Sequence, residues 1–134
     1  AYPNLTFKEP SLDGFLEDLA TSRAVLCTAG FTLISEALYL GKPLLVVPNR
    51  GIFEQTLNAL FLKREGLGEA VIGRCITTED VQHFLSRLDT YEKHLRDRPA
   101  CGNANAIACI ERVLEEVGAS VNIPSPPAVA AVTP

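Results

Sequence analysis

The chain has 134 residues, 47% of them hydrophobic, and a formal charge of −4 at pH 7. That suits one domain with one core, and the mild charge, spread along the chain, offers no basic surface for nucleic acid. Cys27, Cys75, Cys101 and Cys109 show no CxxC spacing and have only His83 and His94 for company, so neither zinc nor a disulfide framework is expected, and idle thiols in a reducing cytoplasm are the plainer reading.

Leu5 to Phe7 reads as a short strand closed by Pro10. Leu12, Phe15, Leu16 and Leu19 then recur at helical spacing. Ala24 to Cys27 is a continuous apolar run of the kind buried on both faces of a parallel sheet. After the turn Thr28-Ala29-Gly30, a helix carrying Leu33, Ile34, Ala37 and Leu38 is stopped by Gly41 and Pro43. Leu44 to Val47 reads as a second buried strand, ended by Pro48. The loop Asn49-Arg50-Gly51 leads to a helix expected to bury Phe53, Leu57, Leu60 and Phe61. Glu69 to Ile72 is a third strand. Thr77 or Thr78 caps a helix that buries Val81, Phe84, Leu85 and Leu88 and runs to about Leu95. Asn103 caps a last helix with Ile107, Ile110, Leu114 and Val117, and the proline-rich stretch from Ser120 reads as a tail.

Strand and helix alternate with connections that suit right-handed crossovers, which predicts an α/β fold: a parallel sheet flanked by helices. Three or four strands are few for a free-standing domain of that kind. With no initiator Met in view, the chain reads as a piece of something longer. No stretch approaches the ~20 apolar residues of a membrane span, and no signal peptide is legible.

In such sheets ligands bind beyond the carboxyl ends of the strands. Two loops fall there. In Thr28-Ala29-Gly30-Phe31-Thr32, Gly30 permits close approach, Thr32 is placed to cap the helix, and the free amides of the helix start suit a phosphate. By itself this is also how any strand–glycine–helix turn is built. Glu36, one turn beyond Thr32, can accept two hydroxyl hydrogen bonds from a ribose. On spacing alone a solvated glutamate in the first part of a helix is favoured. In the second loop Glu54, Gln55 and Asn58 open a helix with groups that suit sugar hydroxyls, or equally with ordinary helix-start chemistry. Arg50 reads as a surface residue of a glycine loop.

The stretches Thr28 to Ala37, Gly41 to Pro48, Phe53-Glu54-Gln55 and Asn58-Ala59 together resemble the C-terminal, donor-binding domain of GT-B glycosyltransferases, in particular the peptidoglycan N-acetylglucosaminyltransferase group, with UDP-glucuronosyltransferases more distant. The resemblance covers about Asn4 to Gly68 and is carried by the combination: a glycine six positions before a glutamate, a Gly-x-Pro strand, an acid–Gln pair and Asn-Ala. It implies a Rossmann-like domain over residues 1–118, truncated at its N-terminal side, and a flexible tail over 119–134. It places Thr28, Gly30 and Thr32 at the donor pyrophosphate, Glu36 at the ribose, Glu54, Gln55 and Asn58 at the donor sugar, and the turn Pro10-Ser11-Leu12 at the base. The chain departs from better-known branches at Thr28-Ala29, where they carry Arg-Ser or His-Gly.

The reaction implied is transfer of a glycosyl group from a nucleotide-sugar, UDP-linked by resemblance, to an acceptor hydroxyl with inversion. The general base would come from an N-terminal acceptor domain across the cleft, so this piece would bind the donor without turning it over, and no catalytic residue is assigned within it. No cofactor or metal is implied. The missing part would also carry any peripheral membrane contact of this cytoplasmic enzyme. Two other readings stay open: a non-catalytic donor-binding subunit that needs a partner chain, and part of a GT-B-like sugar-nucleotide epimerase.

Overall fold

The computed structural model describes residues 3–98 and 102–118. Strands β1 (Val25–Cys27), β2 (Leu44–Val46) and β3 (Gly68–Ala70) alternate with helices α1 (Leu12–Thr21), α2 (Phe31–Tyr39) and α3 (Phe53–Arg64), followed by α4 (Thr78–Ser86) and α5 (Leu88–Arg96). The strands run parallel in the order β1-β2-β3, with Val25 level with Leu44 and Leu44 level with Gly68. This is the Rossmann-like arrangement that the alternation of apolar runs predicts. The chain divides into two compact units, residues 1–100 and 101–134. In the second, the described structure is helix α6 (Asn103–Glu116), whose Ile107, Ile110, Val113 and Val117 are exposed. The stretch 119–134, expected to be a tail, lies outside the described residues.

Successive strand side chains point to opposite faces, and β2 uses both. Leu44 and Val46 join Leu19, Ala29, Ile34, Ala37, Ala59, Leu62 and Leu67 in one core, while Leu45 joins Val71, Phe84, Leu88 and Tyr91 in another. Behind β2, Phe84 and Tyr91 stack with centroids 5.7 Å apart. At the sheet's outer edge Glu69 is buried among basic side chains: Lys63 at 2.5 Å, Arg87 at 3.8 Å and His83 at 3.9 Å. Burial pushes its carboxyl up, but Lys63, the Ala70 amide and His83 together outweigh that and hold it below the usual carboxylate range.

Several elements differ from the sequence reading. Residues 5–11 form no strand: no described strand pairs with them, and Phe7 stands 89% exposed. Their regular feature is Ser11, whose Oγ accepts from the Gly14 amide and caps α1. β3 begins and ends earlier than expected, at Gly68–Ala70. The long helix after Thr77 is two. The Ser86 hydroxyl donates to the His83 carbonyl, the acceptor that the Arg87 amide would need to continue the helix, and that amide bonds to Phe84 instead. Leu85 is left exposed. Thr77, rather than Thr78, is the cap of α4, in a reciprocal box with Asp80. Gly102, rather than Asn103, caps α6.

The largest difference is in α3. Phe53, Leu57, Leu60 and Phe61 face outward, Phe53 at 78% exposure, while Ala59 and Leu62 meet the sheet. Gln55, Asn58, Ala59 and Leu62 share one face at helical spacing, and the two carboxamides on it are tied to the neighbouring loops. Satisfying them turns the aromatic stripe away from the core.

β2 and β3 pack tightly at Gly68. A Cβ there would stand 2.0 Å from the Leu44 carbonyl oxygen, so β3 can lie against β2 only without a side chain at this position. Gly68→Ala is expected to lower unfolding free energy by about 3 kcal/mol, the upper end of ordinary overpacking. Urea unfolding followed by circular dichroism measures it, and an unchanged midpoint would contradict the packing.

Candidate functional site

Both loops at the carboxyl end of the sheet are built by the strand before and the helix after. In the first, Thr28 is exposed, Ala29 is fully buried and Gly30 is the N-cap of α2. Gly30 adopts ordinary extended backbone, φ −69° and ψ 135°, so its lack of a side chain is not required by conformation. Nor is it required by packing within the described residues: a Cβ at Gly30 would meet nothing within 4 Å. The amides of Gly30, Phe31, Thr32 and Leu33 donate to no group among the described residues. A bare helix start facing open space is an anion-binding arrangement.

Thr32 does not cap this helix, contrary to expectation. It is the second helical residue, exposed, and α2 has no side-chain cap bond. A side-chain cap needs the extended backbone of the residue just before the helix, which here is Gly30. The four amide donors are left without a competitor.

The second loop descends from the buried Pro48 through Asn49 and Arg50 to Gly51, whose φ of 81° is a left-handed conformation that glycine adopts without strain. Gln55 reaches back from the first turn of α3, its Oε1 accepting from the Asn49 amide at 2.9 Å. That leaves its NH₂ group as a donor for a ligand. Glu54, exposed beside it, accepts from the Asn58 side chain at 3.1 Å. Asn58 also donates to the Ala29 carbonyl at 3.1 Å, across 29 residues of chain. That contact joins the two loops at a residue that the family resemblance assigns to the donor sugar. The signal for it was a polar residue in phase with Ala59 and Leu62 on the inward face of α3.

Thr28, Gly30 and Thr32 are thus brought beside Glu54, Gln55 and Asn58. Glu36 is half-buried on the other flank of α2, in a groove of about 380 Å³ shared with Leu16 and Leu19 of α1. Leu12 opens α1, its side chain lying outside the described residues. Ser11 and Pro10 line a separate hollow of about 570 Å³ at that helix start. Neither histidine faces the two loops. His94 Nδ1 lies 2.9 Å from the Gly66 carbonyl, and His83 belongs with Glu69. Cys27, half-buried at the end of β1, has its thiol pushed up to about 11 by burial, which suits an unreactive thiol. Among the described residues no helix is long and apolar enough to cross a membrane.

Residues 1–89 match the family described as Glycosyl transferase family 1. The chain is also similar to the UDP-N-acetylglucosamine--N-acetylmuramyl-(pentapeptide) pyrophosphoryl-undecaprenol N-acetylglucosamine transferase 3 of Bacillus cereus, 34% identical over 85 residues, which is 59% of this chain and 23% of that protein. The transferase 1 of the same description from Bacillus thuringiensis is 34% identical over 77 residues, 54% of this chain and 21% of that protein. The matched stretch spans under a quarter of the length of these curated relatives.

The open space at Gly30 makes a test of fold against site. Gly30→Ala is expected to change unfolding free energy by no more than about 1 kcal/mol, since a weaker cap and a less flexible unfolded chain offset each other. Urea titration beside Gly68→Ala gives the comparison, and a comparable loss in both variants would mean that Gly30 is a packing glycine.

Proposed function

Because the chain belongs to glycosyl transferase family 1, we propose that it is the donor-binding half of an inverting glycosyltransferase, holding a UDP-sugar while another domain or a partner chain presents the acceptor hydroxyl. The bare start of α2 carries this reading: unpaired amides from Gly30 to Leu33 facing space that no side chain fills. A diphosphate laid across that helix tip has Glu36 on one flank and Glu54 with Gln55 on the other. That order matches a nucleotide-sugar read from end to end, with the ribose hydroxyls at Glu36, the diphosphate at Thr28, Gly30 and Thr32, and the sugar at Glu54 and Gln55. The turn Pro10-Ser11-Leu12 would meet the base.

Negative charge grows on the departing diphosphate as the glycosyl bond breaks. Amides already aimed at it need no reorganisation, and each such donor is worth about 3 kcal/mol in transition-state stabilisation where one has been removed. The acceptor hydroxyl must lose a proton to a general base. No histidine or aspartate lies in either loop, so that base falls to the other domain, and this chain alone binds without turnover. The activities for which the two Bacillus relatives are named support UDP-N-acetylglucosamine as donor and a pyrophosphoryl-undecaprenol acceptor. Such an acceptor would place the complete enzyme in the cytoplasm against the membrane.

Titrating the chain with UDP, GDP, TDP and ADP while following amide chemical shifts is expected to give saturable changes at Gly30, Glu36 and Gln55 with UDP. Saturation by none of the four would sink the donor-site reading. Glu36→Gln is expected to weaken UDP binding by about 1–3 kcal/mol, the scale of a charged hydrogen bond, with the circular dichroism spectrum unchanged. Unaltered affinity would remove Glu36 from the ribose.

A further inference from the structure

Asn58 makes two contacts at once, to the Ala29 carbonyl and to the Glu54 carboxylate, both at 3.1 Å. The first has a consequence set by covalent geometry. A trans peptide is planar, with its carbonyl and its N–H pointing in opposite directions, and the structure has no cis bond among its described residues. Holding the Ala29 carbonyl toward α3 therefore aims the Gly30 N–H away from α3. Were that peptide to flip, a carbonyl oxygen would face the anion where an amide should. Glycine at position 30 leaves such a flip sterically cheap, and Ala29, fully buried, has no water to satisfy its carbonyl. The same side chain holds the Glu54 carboxylate back along α3 instead of letting it swing toward the diphosphate.

We propose that Asn58 is a positioning residue for the donor diphosphate: its amide locks the Ala29–Gly30 peptide with the N–H outward and restrains Glu54, without touching the sugar. This rests on the donor-site reading above and changes the role of one residue in it. A sugar ligand and a peptide lock differ in what they discriminate. A sugar ligand distinguishes UDP-N-acetylglucosamine from UDP, whereas a lock on the diphosphate amides serves both equally.

The test compares UDP with UDP-N-acetylglucosamine on the full chain, using wild type, Asn58→Ala and Asn58→Asp. Aspartate keeps the shape but has no amide to donate, so it also serves if alanine loosens the fold. Both variants are expected to lose about tenfold in affinity, equally for the two ligands. In the unliganded variants the Gly30 amide resonance is expected to shift while core resonances such as Leu45 and Val46 stay in place. A loss confined to UDP-N-acetylglucosamine would make Asn58 a sugar contact and overturn the proposal, as would wild-type affinity in both variants. Should the wild-type chain bind neither ligand, the donor-site reading itself fails and the lock with it, an outcome distinct from binding that ignores Asn58.

Discussion

Both sides of this fold depend on a three-residue strand. β2 is buried throughout, and its alternating side chains anchor two separate cores, Leu44 and Val46 on one side and Leu45 on the other. Its backbone sets the register of both neighbours. Because parallel strands need helical crossovers, fixing β2 places α2 before it and α3 after it, with their starts at the same end of the sheet. The site is a consequence of that placement. On the proposed reading, an acidic chain would hold an anion here through backbone amides.

The parts of the fold that were legible in the sequence are those where one face of an element is wholly apolar. Leu44 to Val46 announced a doubly buried strand, and Ile34 and Ala37 marked the inner face of α2, because burial was the one demand on them. α3 was misread because two demands compete on it. Its larger side chains, Phe53, Leu57, Leu60 and Phe61, make the more conspicuous stripe, but Gln55 and Asn58 need partners, and the small Ala59 lets the helix sit close to the sheet. Residue size points one way and hydrogen-bond satisfaction the other, and in the folded chain the hydrogen bonds prevail. The break at Arg87 escaped notice for a similar reason: it turns on one Ser86 hydroxyl competing with the backbone.

For the candidate site, spacing located the loops and the family resemblance supplied the roles. Composition alone left Glu36, Glu54 and Gln55 as plausible surface groups. What no sequence pattern contained was the tie between Asn58 and Ala29, which lie 29 positions apart and meet only once β1, α2 and α3 are assembled. That tie is a backbone contact, so nothing in the identity of Ala29 advertises it. Gly30 reads in the sequence as permitting close approach, and its φ of −69° shows that vacant space beside it, and not conformational need, is what the missing side chain provides.

The cations around Glu69 give the fold a dependence on proton activity. A carboxyl held lower in the folded chain than in the unfolded one binds fewer protons when folded, so acid favours unfolding through it. Its contribution is complete above the unfolded carboxyl's ordinary value and fades as the pH falls through the lowered folded one. Protonation there would leave Lys63 and Arg87 facing each other at the edge of β3 without the charge that reconciles them. Acidification would thus weaken the fold through the strand farthest from β1.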